Sequence, residues 1–98
     1  MGVEMRVYRI IWLPEVEDKL LDKHNVFAEE VEEVLFGRPH IRFVEKGQRE
    51  DEDLYAAYGQ TASGRWLIVF FLLKEGQAAL VISARDMDRK ERRLYGRR

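Results

Sequence analysis

Residues 65–74, RWLIVFFLLK, contain eight successive apolar positions between an arginine and a lysine. A strand with one face in water alternates apolar and polar residues, so this run predicts a central strand that is covered on both faces. Ile68 and Phe70 are two positions apart, so they share a face of that strand, and we expect both to be buried. The run is far too short to cross a membrane as a helix.

Four other segments are predicted to be strands. HIRFVEK at 40–46 alternates apolar and polar residues, LYAAYGQ at 54–60 precedes the turn TASG, and AALVIS at 78–83 follows the turn KEGQ. Because short turns join successive strands, these segments and the central run predict an antiparallel meander. VYRIIW at 7–12 is rich in β-branched and aromatic residues and predicts one more strand.

Two helices are predicted between the first strand and the meander. PEVEDKLLDKH at 14–24 begins with a proline suited to a first helical turn and has an apolar face that includes Leu20 and His24. Asn25 should end this helix in the left-handed conformation. FAEEVEEVLFG at 27–37 follows, and its apolar stripe of Phe27, Val31, Val34 and Leu35 excludes four glutamates.

A short C-terminal helix completes the predicted fold. Asp88 and Glu91 are three residues apart and form the aspartate version of a capping box, which marks a helix start. We therefore expect an α+β fold, in which two N-terminal helices pack on one face of an antiparallel four- to five-stranded sheet and a short helix ends the chain. One domain should span residues 1–98.

Composition excludes several classes of protein. The chain of 98 residues is 46% hydrophobic and 36% charged, which is typical of a globular domain and not of a disordered chain. It has no cysteine, and the residues after Met1 alternate apolar and charged without the apolar core of a signal peptide. We therefore expect a cytoplasmic protein without disulfides.

Charge is distributed unevenly along the chain. Residues 1–60 carry 8 Lys or Arg against 14 Asp or Glu, a net charge of −6, whereas residues 61–98 carry 9 against 4, a net charge of +5. This asymmetry predicts one surface suited to an anion and another suited to a basic partner.

Arginines after the last predicted strand are candidates for anion binding. Arg85, just beyond that strand, could bind a phosphate through two hydrogen bonds, or could pair with Asp86, Asp88 or the acidic second helix. Arg89 and Lys90 lie in the first turn of a helix, where cations oppose the helix dipole. An anionic ligand would remove this conflict, although a solvated basic helix accounts for the pattern equally well.

His24 is the candidate for proton transfer, since its ordinary pKa lies closest to neutrality. The alternative is an inert histidine at the edge of the core. For His40 we expect exposure and no role, and for Tyr55 and Tyr58 packing. The sequence contains no metal-ligand spacing, no glycine-rich phosphate loop and no serine-centred elbow, so neither a metal nor a cofactor is expected.

Several of these segments resemble the BrnT family, the small toxins of bacterial type II toxin–antitoxin pairs. The similar segments are IIWLPEVEDKLLDKHNVFAEEVEEVL at 10–35, GRWLIVFF at 64–71 and VISARDMDRKERRLY at 81–95. The most specific pieces are the Lys23–His24 pair with Val26, and ISAR followed by Glu-Arg-Arg and Tyr95. The resemblance implies a fold like that of RelE-type ribonuclease toxins, RNA cleavage without a metal, inhibition of translation, and neutralisation by a cognate antitoxin.

Cleavage of RNA by its own 2′-hydroxyl requires a base, cations at the phosphate and an acid for the leaving oxygen. Under the hypothesis that follows from the resemblance, His24 is the base or acid and Arg85 stabilises the phosphate. Lys23, Arg65 and Arg89 bind neighbouring phosphates.

The chain departs from the family at two positions, since Leu54 and Leu80 stand where members often carry arginine. Two further hypotheses are a catalytically inactive module of this family that only binds protein, and a simple nucleic-acid-binding domain. The expected partners are RNA and an antitoxin, for which the ribbon-helix-helix type is the candidate. The antitoxin is expected to cover residues 85–93 or to bind the acidic face at 29–33.

Overall fold

The structure, a computed structural model, describes residues 4–96. Eight main elements follow one another along the chain: β1 (Arg9–Ile11), α1 (Pro14–His24), α2 (Ala28–Phe36), β2 (His40–Glu45), β3 (Leu54–Gln60), β4 (Trp66–Lys74), β5 (Ala78–Asp86) and α3 (Arg89–Tyr95). A short 3-10 turn at Glu50–Glu52 lies between β2 and β3. This is the expected α+β fold, with the two N-terminal helices and the short C-terminal helix in the predicted places.

The five strands form one sheet in the order β1-β5-β4-β3-β2, so β4 is central as predicted. Strands β2 to β5 form the expected antiparallel meander. Strand β1 differs, because it pairs in parallel with β5 at the edge of the sheet. A two-residue hairpin would force antiparallel pairing, but β1 is joined to the meander through two helices, which leaves either direction open. The sheet is therefore mixed, although mostly antiparallel.

Both faces of β4 are covered, as its apolar sequence predicts. Leu67, Val69 and Phe71 are fully buried against helices α1 and α2, which supply Leu20 and Val31 among others. This face holds the larger core.

The opposite face of β4 lies under α3. Ile68 is fully buried there as expected, with Met87 beside it, whereas Phe70 is only partly buried. Helix α3 has seven residues, none of them buried, so it covers only part of this face. The expectation that both side chains are buried is therefore met fully by Ile68 alone.

Local signals set the helix ends. Pro14 is the first residue of α1, and Asn25 ends the helix in the left-handed region with φ of 54°. The Asp88 carboxylate accepts from Glu91 N and the Glu91 carboxylate accepts from Asp88 N, which confirms the predicted capping box. Phe27 is 49% exposed and precedes α2 as its cap residue, so its predicted place in the buried stripe is wrong.

Strand β5 ends at Asp86, three residues beyond the predicted end at Ser83. Arg85 therefore lies inside the strand, paired with Ile68 of β4, and not just past the strand end. Since successive side chains of a strand point to opposite faces, this extra length fixes the face on which Arg85 lies.

Candidate functional site

The candidate site lies at the end of the sheet where β4 begins and β5 ends. Arg65 is the residue that organises it, because its guanidinium contacts three separate elements. The Nε and Nη2 groups donate to the two carboxylate oxygens of Asp86 at 2.7 and 3.0 Å. The Nη1 group donates to the Glu30 carboxylate of α2 at 2.9 Å. The pair with Asp86 holds the pKa of that carboxyl below its usual range.

Arg65 also binds the end of helix α1. Its Nη1 donates to the carbonyl oxygen of Asn25 at 2.7 Å, and its Nη2 donates to that of His24 at 3.0 Å. With the contacts to Asp86 and Glu30, these bonds use all five N–H groups of the guanidinium. Arg65 was expected to bind phosphate, and its donors are engaged within the protein. Its geometry is that of a residue that positions the backbone of His24.

Arg85 makes a two-pronged ion pair with Glu91, the third residue of α3. Its Nη1 and Nη2 groups donate to the two oxygens of the Glu91 carboxylate at 2.8 and 2.9 Å. Nη1 also donates to the carbonyl oxygen of Asp86 at 3.1 Å, and the guanidinium lies 5.9 Å from the centre of the Phe70 ring. The hydrogen bonds from Arg85 lower the pKa of Glu91. A carboxylate thus occupies the donors expected to bind a phosphate.

His24, Lys23 and Arg89 are exposed. His24 ends α1, on the face opposite to α3, and its positive charge adds to the effect of Arg65 in lowering the pKa of Asp86. Arg85 faces α3 instead, so His24 and Arg85 lie on opposite faces of the sheet, on either side of Asp86. The structure brings the predicted site residues to one end of the sheet, but not around a single phosphate-sized space.

A cluster of aromatic and basic side chains on the α3 face was not predicted. The Tyr58 and Tyr95 rings stack with centres 4.0 Å apart, and the His40 ring lies 5.0 Å from Tyr95. Arg42 Nη1 donates to the Tyr95 hydroxyl at 3.0 Å. Burial, and then the neighbouring Tyr95, raise the pKa of Tyr58. The alternating pattern of HIRFVEK places His40 and Arg42 on one face, but no local signal reveals that Tyr95 covers them.

Two cavities adjoin this cluster, and Trp66 lines both of them. The aromatic cavity has a volume of about 440 Å³, and its walls include His40, Tyr58, Trp66 and Tyr95. The arginine groove has a volume of about 430 Å³ and is lined by Trp66, Met87, Arg89, Arg92, Arg93 and Gly96. The last turn of α3 separates the two.

The two leucines that depart from the family pattern lie in one row of the sheet. Leu54 of β3 and Leu80 of β5 both pair with Leu72 of β4, so the three side chains share a face. That face is the one under α3, and all three leucines are partly exposed. The face of the sheet that carries Arg85 therefore also carries a row of three leucines.

Between residues 4 and 96, no three histidine, aspartate or glutamate side chains gather closely enough to hold a metal ion. None of the helices in that part of the chain is long and apolar enough to cross a membrane.

Comparisons with known proteins agree with the fold. Residues 12–91 match the model of a family described as the ribonuclease toxin BrnT of type II toxin–antitoxin systems. The fold is similar to the crystal structure of the Brucella abortus ribonuclease toxin BrnT, with a TM-score of 0.59 and 19% sequence identity. The likeness covers 88% of this chain and 100% of that one. No curated protein sequence is significantly similar to the chain.

Proposed function

The chain belongs to the BrnT family of ribonuclease toxins of type II toxin–antitoxin systems, and on this premise we propose that it cleaves RNA without a metal ion and thereby inhibits translation. The structural observation that carries the proposal is the Arg65 network. It ties the end of α1, with the exposed Lys23 and His24, to the end of β5 that carries Arg85.

The proposed reaction uses the ribose 2′-hydroxyl as nucleophile. His24 transfers a proton as general base or acid, which typically contributes about 10²- to 10⁴-fold to a rate. Arg85 stabilises the charge that develops on the phosphate. Lys23 and Arg89 bind phosphates on either side. We assign Arg65 to positioning, because two of its five donors hold the backbone carbonyls of His24 and Asn25 and the other three bind the carboxylates of Asp86 and Glu30.

RNA has to compete with Glu91 in this mechanism. The Glu91 carboxylate makes the same two-pronged contact with Arg85 that a phosphate would make. The strand must also cross the end of the sheet past Asp86, since His24 and Arg85 lie on opposite faces. Binding therefore requires the Glu91 carboxylate to release the Arg85 guanidinium.

The test is cleavage of ribosome-free RNA by the purified protein in the presence of a chelator. We expect cleavage, and a loss of about 100-fold or more in Arg85→Ala and in His24→Ala. Arg85→Lys should recover only part of the rate, because lysine keeps the charge but not the two-pronged geometry. Arg49→Ala, which removes an exposed arginine of the loop after β2, is the matched control and should retain full activity.

Absence of cleavage by the wild type, or full activity of Arg85→Ala, would exclude this assignment. A translation extract with the same variants tests the proposed inhibition of translation. We further propose that the protein acts in the cytoplasm, where its RNA substrate is found.

Membership of this family implies a cognate antitoxin, and we propose a basic antitoxin of the ribbon-helix-helix type. The exposed Glu29 and Glu33 of α2 provide an acidic surface for it, and residues 85–93 provide the alternative. Co-expression with the product of the neighbouring gene should give a complex at low salt. Loss of that complex in Glu29→Lys with Glu33→Lys, but not in Arg89→Glu, would identify the acidic surface.

One observation favours a second function, a catalytically inactive module that binds protein. Leu54 and Leu80 are apolar where the family often carries cations, so the row that they form with Leu72 is less suited to RNA. Tight binding of the antitoxin by this protein, together with no cleavage of RNA under any condition, would identify this second function.

A further inference from the structure

We propose that the aromatic cavity binds one unpaired nucleobase of a single-stranded RNA, and that the arginine groove binds the phosphates next to it. The inference rests on the ribonuclease function proposed above. It identifies where the protein binds the part of the substrate that lies outside the reacting atoms. Neither cavity includes His24 or Arg85 among its lining residues.

The aromatic cavity offers the surfaces that unpaired bases bind. Tyr58 and Tyr95 stack at 4.0 Å with an angle of 18° between their planes, and all of His40, Tyr58, Trp66 and Tyr95 are partly exposed. Proteins recognise single-stranded RNA by stacking its bases on such rings. The volume of about 440 Å³ lies within the range of small-ligand pockets and is ample for one base.

Polar side chains at the rim of this cavity are held in place. The Gln60 amide donates to the carbonyl oxygen of Gly64 at 3.0 Å, and the Glu33 carboxylate accepts from the backbone N–H of Ala62 at 3.0 Å. Both residues line the cavity. Side chains fixed in this way present donors and acceptors to the edge of a base.

Charge identifies the occupant as a nucleic acid strand. Arg89, Arg92 and Arg93 are exposed and line the arginine groove. Because Trp66 lines both cavities, they adjoin each other, and one nucleotide can place its base in the first and its phosphates in the second. A polyanion with planar side groups fits this pair of cavities, whereas an apolar or basic peptide does not match three adjacent guanidinium groups.

The test uses a short single-stranded 2′-O-methyl RNA, in which the blocked hydroxyl prevents cleavage. The protein carries Trp12→Phe, so Trp66 becomes the one remaining tryptophan of the 2 in the sequence. We expect the oligonucleotide to quench Trp66 fluorescence on binding. An oligonucleotide of equal length without bases should bind about 5- to 100-fold more weakly, the range of base–aromatic stacking.

Variants separate the two cavities. Tyr95→Ala should weaken binding of the base-containing oligonucleotide about 5- to 100-fold and leave binding of the base-free one unchanged. His40→Ala changes a lining residue of β2 whose ring lies 5.0 Å from that of Tyr95, and it should have the same selective effect. The matched control is Tyr8→Ala, which removes a tyrosine that is 68% exposed near β1 and should change neither affinity. Arg92→Ala should weaken both ligands and lower the salt dependence by about one phosphate contact.

The proposal is overturned if the two oligonucleotides bind equally, or if Tyr95→Ala and His40→Ala bind like Tyr8→Ala. It is also overturned if a peptide of the antitoxin quenches Trp66 and the oligonucleotide does not. Cleavage of all-ribose RNA is measured separately. Base-dependent binding without cleavage would support base binding in the aromatic cavity and refute the ribonuclease proposal. Cleavage without base-dependent binding would support the ribonuclease proposal and refute base binding in that cavity.

Discussion

Arg65 lies at the junction of α1, α2 and β5, and its guanidinium binds oxygen atoms at all three. Its side chain is 23% exposed, and each of its five N–H groups donates to an oxygen of the protein. Two of those oxygens are carbonyls left without partners at the end of a helix, which a guanidinium can satisfy in fixed geometry. The residue that the sequence suggests as a phosphate ligand is thus the one that fixes the position of His24.

Replacement of Arg65 by lysine should therefore destabilise the protein. Lysine keeps the charge but has three donors on one nitrogen, so it cannot reach the carboxylates and both carbonyls together. We expect the free energy of unfolding in urea to fall by roughly 2–4 kcal/mol, since hydrogen bonds to charged groups are among the stronger ones. Arg89→Lys, a change at an exposed arginine of α3, should stay within about 0.5 kcal/mol. Equal stability of the two variants would contradict the positioning role.

Asp86 makes the stability depend on pH. The hydrogen bonds from Arg65 hold its pKa below the usual value, so the folded protein binds the proton less readily than the unfolded chain. The contribution is complete above the unfolded pKa of about 4 and is lost as the pH falls through the folded pKa. We expect Asp86→Asn to be less stable than the wild type at pH 7, with the difference shrinking below about pH 4. Urea unfolding of both proteins across this pH range measures the difference in unfolding free energy. A difference that stays constant with pH would show that protonation of Asp86 is not coupled to stability.

At the scale of elements, α3 is the part least fixed by burial. It has seven residues, none of them buried, and it is held by its capping box, by the pair between Arg85 and Glu91, and by the contacts of Tyr95 with Tyr58 and Arg42. Glu91 takes part in the first two interactions. The same carboxylate therefore sets the position of the helix and blocks the donors of Arg85.

Glu91→Gln and Asp88→Ala separate these two roles. Asp88→Ala removes half of the capping box, whereas Glu91→Gln retains an amide oxygen that can accept from Asp88 N but loses the charge that pairs with Arg85. We expect both to raise amide hydrogen exchange in α3 with a loss of about 1 kcal/mol or less in global stability. Only Glu91→Gln should bind the uncleavable RNA more tightly, because it alone frees the guanidinium. Equal affinities of the two variants would show that Glu91 does not compete with RNA.

At the scale of the whole molecule, β4 joins two apolar clusters that lie on opposite faces of the sheet. Trp12 packs against the cluster under α1 and α2, and Trp66 packs against the cluster under α3. Leu67 and Ile68, adjacent in β4, belong to one cluster each. Loss of the central strand would therefore expose both clusters at once.

We accordingly expect a single cooperative unfolding transition. Trp66→Phe leaves Trp12 as the fluorescent reporter for the larger cluster, and Trp12→Phe leaves Trp66 as the reporter for the smaller one. In each variant, urea curves from tryptophan fluorescence and from circular dichroism should coincide and give the same slope. A Trp66 signal that changes at lower urea than the circular dichroism would show that the α3 face unfolds separately.

The sequence by itself determined the elements of this protein, because their signals are local. The run at 66–73 is apolar on both faces and could only be a buried strand, Pro14 and Asn25 mark the two ends of α1, and Asp88 with Glu91 marks the start of α3. The same local motifs carry the family resemblance that the comparisons confirm.

Only the tertiary structure decided which residues of these elements meet at the candidate site. Strand direction, exact strand length and contacts between distant residues are not indicated by any local sequence pattern. The parallel pairing of β1 with β5 depends on the path of α1 and α2. Strand β5 extends to Asp86, which places the Arg85 side chain on the face under α3, whereas His24 lies on the opposite face. Successive side chains of a strand point to opposite faces, so a change of one position would reverse this placement. The stack of Tyr58 on Tyr95, 37 positions along the chain, exists only because α3 folds back over the sheet.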